Sequence, residues 1–252
     1  HITKRFGKVV ANDDISLEIK RGEILSLLGE NGSGKTTLMN MLAGIYFPDE
    51  GEILVNGVPT TIASPKDAFA CGIGMIHQHF KLVDVFTAAE NIVLGLEGER
   101  KLDLKAASAK ILEICEKYGF SIDPAKKIYD MSVSEKQTVE IIKVLYRGAD
   151  ILILDEPTSG LDPVSRDELT ELLGRIAADG QRSVLFSTHI TSDLEKCASH
   201  ISFIKDGQIQ YTGTLEDFRA HYAYLRRGDA PLTLEDIIVS VERRPLDENA
   251  II

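Results

Sequence analysis

The stretch "EILSLLGENGSGKTTLMNMLAG", residues 23–44, decides which fold class this chain adopts. It begins with a compact apolar run that ends at Gly29 and closes with "TTLMNMLAG", which together predict a buried strand followed by a helix. Between them, "GENGSGKTT" (29–37) is a glycine-rich run whose backbone N–H groups can turn toward phosphate oxygens, while the helix N-terminus adds its positive dipole end. The stretch therefore predicts a strand–loop–helix unit that holds the phosphates of a nucleotide.

The loop residues have separate expected roles. We expect Lys35 to reach the β- and γ-phosphates of ATP and the Thr36 hydroxyl to ligate Mg²⁺. A glycine-rich turn with a chance lysine is the alternative, but it does not explain why the loop lies between a predicted strand and a predicted helix. The residues predicted to contact the nucleotide here are Gly29, Asn31, Gly32, Ser33, Gly34, Lys35, Thr36 and Thr37.

Strand-like and helix-like runs alternate through most of the chain, which is the pattern of an α/β fold with a largely parallel sheet. "ILILDE" (151–156) and "VLFST" (184–188) predict two more buried strands. Asn-Gly and Asp-Gly turn signals predict antiparallel hairpins in residues 51–59 and 202–213.

Helical segments complete the pattern. A helix is predicted over 165–178, with Ser165 as its N-terminal cap, Glu168 three residues later and Gly180 ending it. The stretch from about 87 to 147 has helix-forming composition and no clear strand, and it predicts a helical subdomain inserted into the α/β core. The predicted organisation is one domain at 1–225 and a short tail at 226–252 that carries one helix.

Composition excludes several classes of protein. The 252 residues, 44% hydrophobic, contain no apolar run of the roughly 18 residues that a membrane span needs, and the first residues show no signal sequence. Three scattered cysteines argue against a disulfide framework or a zinc site and fit a reducing compartment. The net charge of -11 argues against a nucleic-acid binder, which needs a basic surface, although solubility explains the acidity equally well.

Carboxylates and a histidine follow the two other predicted strands. Asp155 stands at the end of "ILILDE", where a carboxylate can hold Mg²⁺, and Glu156 is placed to polarise an attacking water. His189, in "STHI", is expected at the same edge of the sheet. By themselves, acids at the end of a strand are as often simply solvated, and a lone histidine is more often a structural residue. The neighbouring phosphate-binding loop favours the functional interpretation of all three. In "IHQHF", the two histidines do not form a metal site, because no acid or cysteine lies near them at the spacing of metal ligands. Gln78, between them, is the better candidate to contact Mg²⁺ or its bound water.

These motifs, in this order and over nearly the whole chain, resemble the ATPase subunit of ABC transporters. "GENGSGKTT" resembles the Walker A loop, "IHQHF" the Q-loop, "ILILDE" the Walker B strand, "SGLD" (159–162) the D-loop with Asp162, and His189 the switch histidine. Phe6 occupies the place of the aromatic residue that stacks on adenine. The resemblance implies a P-loop (RecA-like) core with a mostly parallel sheet, an antiparallel β subdomain and the inserted helical subdomain. It also implies ATP and Mg²⁺ as cofactors.

The family signature, Leu-Ser-Gly-Gly-Gln, falls at "MSVSEKQ" (131–137). In this family two cassettes pair head to tail, and each ATP lies between the Walker A loop of one and the signature of the other. The resemblance therefore adds Ser132, Ser134 and Glu135 to the nucleotide site, across the pair. Ser132 and Glu135 also have the spacing of a capping box, which predicts a helix N-terminus that can face the γ-phosphate.

The chain departs from the family pattern in three ways. Ser134 replaces the second signature glycine, whose backbone comes closest to phosphate. The chain starts at the adenine-stacking segment, without the first strand that the family normally has. Its first half resembles sugar- and nucleoside-importer ATPases, whereas the part from "SGLDPVSRDEL" onward resembles single-cassette exporter subunits, and this mixture raises the hypothesis of a chimera joined near residues 156–160.

The resemblance implies an ATPase that pairs with a second, identical or different, cassette and drives transport through a separate transmembrane permease. It implies a cytoplasmic protein held at the inner face of the cell membrane only through that permease, with no nucleic acid bound. Two alternatives stay open at this point. One is a degenerate or regulatory ATP-binding module with weak turnover, which Ser134 suggests; the other is a soluble ABC protein that acts outside transport.

Overall fold

The computed structural model describes residues 1–96, 103–226 and 232–242. The strands are Ile2–Phe6 (β1), Val9–Ile15 (β2), Ile24–Leu28 (β3), Leu54–Val55 (β4), Val58–Pro59 (β5), Ile73–Ile76 (β6), Ile151–Leu154 (β7), Ser183–Thr188 (β8), His200–Lys205 (β9) and Gln208–Thr214 (β10). The α-helices are Lys35–Leu42 (α1), Pro65–Ala70 (α2), Ala88–Val93 (α3), Leu104–Tyr118 (α4), Val133–Tyr146 (α5), Pro163–Ala177 (α6), Thr191–Cys197 (α7), Leu215–His221 (α8) and Leu234–Glu242 (α9).

A six-stranded sheet in the order β10-β9-β3-β8-β7-β6 forms the centre of the described structure. The strands from β9 to β6 run parallel, and β10 pairs antiparallel with β9. The α/β class predicted from the sequence is therefore confirmed, as are the strands expected at 151–156 and 184–188. Sequence analysis missed the edge strand β6, because "IGMI" is a short run that contains glycine and methionine.

Both faces of this sheet are packed against helices, as a parallel sheet requires. Along β3 the side chains alternate: Leu25 and Leu27 pack against α1, while Ile24 and Leu28 join the cluster that contains α6. All of these residues are buried. Since burying one such side chain stabilises the fold by about 1.5–3 kcal/mol, β3 is held rigidly at the centre of the molecule.

The described strands also form antiparallel pairs, one of them at the edge of the central sheet. The hairpins predicted from the Asn-Gly and Asp-Gly turns are β4–β5 and β9–β10. The first two strands, β1 and β2, form another antiparallel pair, and Thr3 bridges to Glu50 just before β4. The two pairs outside the central sheet, β1–β2 and β4–β5, correspond to the antiparallel β subdomain expected from the resemblance.

Helices α3, α4 and α5 share an apolar cluster of their own, to which Ile92, Ile111, Val139 and Ile142 contribute. This arrangement agrees with the inserted helical segment, of which residues 97–102 lie outside the described residues. The boundaries 87–147 remain a prediction. Helix α9 places Leu234 and Ile237 in the main core cluster, so the helix predicted in the tail packs on the α/β core. No helix among the described residues is long and apolar enough to cross a bilayer.

The start of α6 differs from the prediction. The helix begins at Pro163, and Asp162, not Ser165, is its N-terminal cap. The Asp162 carboxylate accepts hydrogen bonds from the backbone N–H groups of Val164 and Ser165 at 3.0 and 3.1 Å. Proline suits the first helical position because its φ is already helical and its missing N–H would have no partner there, so the helix starts earlier than the Ser165 spacing suggested.

Candidate nucleotide-binding site

The carboxyl ends of four neighbouring parallel strands carry the polar residues predicted from the sequence. The loop at 29–37 follows β3, Asp155 follows β7, His189 follows β8, and Gln78 lies just beyond β6. Parallel strands end at a common edge of the sheet, which is where open α/β folds bind their ligands. The tertiary structure therefore assembles in one place residues that are far apart in the sequence.

The glycine-rich loop is packed closely against neighbouring backbone. A Cβ atom on Gly34 would lie 2.3 Å from the carbonyl oxygen of Ala11, and Gly34 has a φ of 103°. A Cβ on Gly29 would lie 2.3 Å from the carbonyl oxygen of Ile204. A side chain at either position would displace the backbone, so the loop conformation depends on both glycines. The first turn of α1 follows directly, with N–H groups that have no partner within the helix.

Lys35 is almost entirely buried beneath this loop. Its ammonium donates hydrogen bonds to the carbonyl oxygens of Gly29 and Glu30 at 2.8 and 2.9 Å, and its Nζ lies 3.6 Å from Oε1 of Glu156. The loop backbone therefore holds the cation at its centre, where phosphate oxygens would gather.

Asp155 is also buried, and two hydroxyl groups hold its carboxylate. Thr36 Oγ1 and Ser187 Oγ donate to Oδ1 of Asp155 at 3.2 and 2.8 Å. A carboxylate, a hydroxyl and the amide oxygen of nearby Gln78 are the oxygen ligands that Mg²⁺ prefers. The residues present thus fit the magnesium ion expected from the sequence.

Glu156 has an unusual backbone conformation. Its φ is 48°, in the left-handed region that costs a residue other than glycine about 1–3 kcal/mol. The backbone N–H of Glu156 donates to Ser187 Oγ at 2.8 Å, and Oε2 lies 2.7 Å from Nδ1 of His189. The carboxylate therefore sits between Lys35 and His189, with its position determined by bonds at both ends of the residue.

A cleft of about 530 Å³ opens above these groups, a size that suits a small-molecule ligand. Its walls include the predicted residues Asn31, Gly32, Gly34, Lys35, Thr36, Thr37, Gln78 and Glu156. Strand β2 adds Val9 and Val10 to the wall. Phe6 does not line this cleft; its exposed ring packs edge-on against Tyr46, with the ring centres 5.2 Å apart. Adenine stacking by Phe6 remains a prediction.

The signature residues lie elsewhere in the chain's own structure. Ser134 and Glu135 line a different cleft of about 400 Å³, between the start of α5 and helix α6. The predicted capping box is present: Ser132 Oγ accepts from the N–H of Glu135 at 3.2 Å, and Glu135 accepts from the N–H of Ser132 at 2.7 Å. A hydrogen bond from Lys126, together with that N–H, lowers the pKa of Glu135. The helix N-terminus is thus rigidly formed, but not beside the loop at 29–37.

Ser134 and Asp162 have clear local structures. Ser134 lies in the first turn of α5 with ordinary helical geometry, so it needs no left-handed backbone, and only its side chain distinguishes it from glycine. The Asp162 carboxylate is engaged as the cap of α6, and the hydrogen bond from the Ser165 hydroxyl lowers its pKa. Direct nucleotide contacts by these two residues remain predictions.

Two residues of this site escaped sequence analysis. Ser187 joins Asp155 to the backbone of Glu156, and Asn12 donates from Nδ2 to the carbonyl oxygen of Gly34 at 3.2 Å. Both are fully buried. Ser187 could have been found from the sequence, because it places a hydroxyl in the predicted buried strand "VLFST". A buried polar group needs a hydrogen-bond partner.

A glycine-rich loop between a buried strand and a helix, with a buried lysine and carboxylates at the adjacent strand ends, defines a P-loop nucleotide-binding protein. The chain belongs to the ABC transporter family, whose profile matches residues 12–159.

Relatives of this chain include ATP-binding proteins of importers. It is 50% identical over 218 residues to the nucleoside import ATP-binding protein NupA of Lactococcus lactis, with 86% of this chain and 43% of the relative covered. It is 46% identical to the guanosine import ATP-binding protein NupO of Bacillus subtilis, with 82% and 41% covered. The chain thus spans less than half the length of these relatives. Because the matches extend well beyond residue 160, the importer resemblance is not confined to the first half, and the chimera remains a hypothesis.

Solved structures share the fold. The ADP conformation of MJ1267, an ATP-binding cassette of an ABC transporter, superposes with a TM-score of 0.79 at 24% identity, with 94% of this chain and 96% of that chain covered. A dimeric structure of the ATP-binding cassette MJ0796 with ADP and phosphate gives a TM-score of 0.71 at 25% identity, with 85% and 95% covered.

Ser187→Ala tests whether the buried hydroxyl stabilises the site. The change leaves the N–H of Glu156 and the carboxylate of Asp155 each without one partner, so we expect the free energy of unfolding to fall by about 1–3 kcal/mol. Urea denaturation measures this directly.

Ser26→Ala is the matched control for this prediction. Ser26 is equally buried in the neighbouring strand β3, but its hydroxyl has no hydrogen-bond partner among the described residues. Its removal should be neutral or stabilising, because no partner loses a bond. Equal effects of the two changes would contradict the bridging role of Ser187.

Proposed function

We propose that this chain is the ATP-hydrolysing cassette of an importer, working as one of a pair and through a separate membrane permease. The observation that carries the proposal is the series of contacts that runs from buried Lys35 through Glu156 to His189, beside Asp155 and Thr36, at the edge of the sheet where the cleft opens. A phosphate-binding cation, a magnesium ligand set and a positioned general base are the parts that phosphoryl transfer to water needs.

In this proposal Lys35 and the N–H groups of the loop bind the β- and γ-phosphates. Asp155, Thr36 and Gln78 would hold Mg²⁺, which when bound neutralises charge on the phosphate oxygens. Glu156 orients a water molecule toward the γ-phosphate and accepts its proton, so that ADP and phosphate are released. His189 holds the Glu156 carboxylate in place through the 2.7 Å contact.

A second cassette completes the site. The α5 N-terminus, with its capping box and N–H groups, is separate from the chain's own P-loop cleft and is available to a nucleotide held by another subunit. The similar MJ0796 cassette is described as dimeric with ADP and phosphate, which supports this arrangement. We propose that Ser132, Ser134, Glu135 and Asp162 act across that interface.

The transport role rests on the relatives. NupA and NupO are nucleoside and guanosine import ATP-binding proteins, and a glucose import ATP-binding protein of Haloferax volcanii is 38% identical, with 96% of this chain and 48% of that relative covered. We therefore propose import of a nucleoside or sugar. The permease would dock on residues 80–130, which connect Gln78 to the helical segment, and would hold the chain at the cytoplasmic face of the membrane.

A module with weak turnover is the second candidate function. The observation in its favour is the Ser134 side chain, which stands in the first turn of α5 where the family signature has a glycine. A Cβ there obstructs close approach of the helix backbone to phosphate.

Lys35→Ala tests nucleotide binding. Loss of a charge-assisted contact worth about 1.5–3 kcal/mol should raise the Kd for Mg-ATP roughly 10- to 150-fold. Fluorescence titration with a labelled nucleotide measures this Kd. The control is Lys105→Ala, since Lys105 is an exposed lysine on α4 and its loss should leave the Kd unchanged. If Lys35→Ala binds Mg-ATP as tightly as the wild type, the assignment of the phosphate-binding loop is wrong.

Glu156→Gln tests hydrolysis. The amide keeps the size of the side chain but cannot act as a base, so hydrolysis should slow by about 10²-fold or more while ATP still binds. An ATP-bound dimer should then accumulate and be visible by size-exclusion chromatography. Turnover at the wild-type rate would show that Glu156 is structural only.

Ser134→Gly separates the two candidate functions. Removing the Cβ should strengthen the contact with the opposing γ-phosphate and raise ATPase activity, by up to roughly 10- to 150-fold if one charge-assisted bond is fully regained. The glycine should also cost about 0.5–1 kcal/mol of stability, because it lies in a helix. Assays at several protein concentrations report on dimerisation.

The control for this prediction is Ser108→Gly, which makes the same change inside α4, away from both clefts. It should lower stability without changing turnover. Equal or lower activity in Ser134→Gly would mean that the serine hydroxyl is a working part of the signature.

A further inference from the structure

A charged pair on α5 holds the backbone of the segment that follows Gln78. Glu140 and Lys143 stand one helical turn apart, with Lys143 Nζ 3.9 Å from Glu140 Oε2. The N–H of Lys81 donates to Glu140 Oε1 at 2.7 Å, and Lys143 Nζ donates to the carbonyl oxygen of Lys81 at 3.3 Å. Both backbone polar groups of one residue are thus bound by two side chains of one helix. We refer to Glu140, Lys143 and the Lys81 backbone as the Lys81 clamp.

The two charged side chains of the clamp are largely buried, which is unusual for charged groups, although Lys81 itself is exposed. The Glu140 side chain is only 7% exposed, and burial lowers the pKa of Lys143. Burying a carboxylate is costly unless it is paired and hydrogen-bonded, and apolar side chains could have packed α5 against this loop without that cost. What the charged pair adds is a defined position for the Lys81 backbone.

A second buried side chain holds the same segment two residues later. Asn91 on α3 is fully buried, accepts from the N–H of Val83 at 2.7 Å and donates to the carbonyl oxygen of Val83 at 3.1 Å. The backbone at Lys81 and Val83 is therefore attached to the helical segment, and it should move with α3 and α5 as one body.

The clamp lies between two parts of the proposed site. Gln78 precedes Lys81 by three residues, a reach of at most about 11 Å, and lines the P-loop cleft together with Glu156. The N-terminus of α5, where Ser132 and Ser134 would face the nucleotide of another subunit, is about 11 Å along the helix from Glu140. A shift of α5 would thus be passed to Gln78 through the clamp.

We propose that Glu140 and Lys143 are positioning residues that fix Gln78 relative to the signature helix α5, so that engagement of the α5 N-terminus sets the place of Gln78 in the P-loop cleft. This inference rests on the proposed ATPase function. Neither residue touches the nucleotide, so loosening the clamp should lower turnover while leaving the affinity for ATP almost unchanged.

The test compares Glu140→Ala with Glu140→Gln. Alanine cannot accept the hydrogen bond from the Lys81 N–H, whereas the glutamine amide oxygen can. We expect kcat to fall at least tenfold in Glu140→Ala, with the Kd for ATP within about twofold of wild type, and we expect Glu140→Gln to recover most of the activity. The control is Glu216→Ala, an exposed glutamate on α8 outside residues 80–130, whose loss should change neither quantity. If Glu140→Ala does not fold, Lys143→Met tests the proposal instead. Methionine keeps the apolar stem of the side chain and removes the hydrogen bond to the Lys81 carbonyl. This change should lower kcat and leave the Kd for ATP unchanged.

A double-mutant cycle with Gln78→Ala tests the route of action. If Glu140 acts through Gln78, Glu140→Ala should lower kcat little further in the Gln78→Ala background. Three results would each overturn the proposal: additive losses in the double mutant, an unchanged kcat in Glu140→Ala, or parallel losses of kcat and ATP affinity that glutamine does not rescue.

Amide hydrogen exchange of Lys81 tests the clamp directly. Exchange should be faster in Glu140→Ala than in wild type, and unchanged exchange would refute the clamp. If the wild-type protein binds ATP but does not hydrolyse it, the proposed function is wrong. The exchange rate of the Lys81 amide would still show whether Glu140 holds the Lys81 backbone.

Discussion

Parallel pairing of β3, β8, β7 and β6 is the constraint on which the candidate site depends. The register matches Leu28 with Thr188 and Leu154 with Phe186, so the four strands end at one edge of the sheet. The glycine-rich loop follows β3, while Asp155, His189 and Gln78 come after β7, β8 and β6. Because the strands are buried on both faces, their ends cannot shift independently of one another. The packed sheet therefore sets the distances between the side chains at these ends.

Buried hydrogen bonds then refine what the sheet brings together. Ser187 links Asp155 to the backbone of Glu156, and Lys35 is bound by two carbonyl oxygens of its own loop. These groups are mutually dependent, because a buried charge that loses its partner becomes costly. Such a network is arranged before the phosphate arrives, and prior arrangement of charge is the main way in which proteins stabilise phosphoryl transfer.

The helical segment meets the sheet through apolar and polar contacts, and Ile141, Val144 and Leu145 of α5 belong to the main core cluster. The Lys81 clamp and Asn91 hold the backbone after Gln78, and a further apolar cluster joins α3, α4 and α5 to one another. Hydrogen bonds from α3 and α5 therefore fix the segment that follows Gln78. That attachment fits the proposed action of a second cassette on the P-loop cleft.

The sequence by itself determined the local features. The glycine-rich loop, the strands "EILSLLG", "ILILDE" and "VLFST", both hairpins and the capping box of Ser132 and Glu135 follow from residue types at short spacing, and each is present in the structure. Even the cap of α6 was a local signal, since Asp162 and Pro163 are adjacent; the Ser165 pattern simply competed with it.

Only the tertiary structure decided the contacts between distant residues. The bond from Ser187 to Asp155 spans 32 positions of sequence, and the bond from Lys81 to Glu140 spans 59. The left-handed backbone of Glu156 was likewise not predictable. Such features depend on strand order and on how helices lie on the sheet, and these follow from packing over the whole core. No spacing within one segment encodes them.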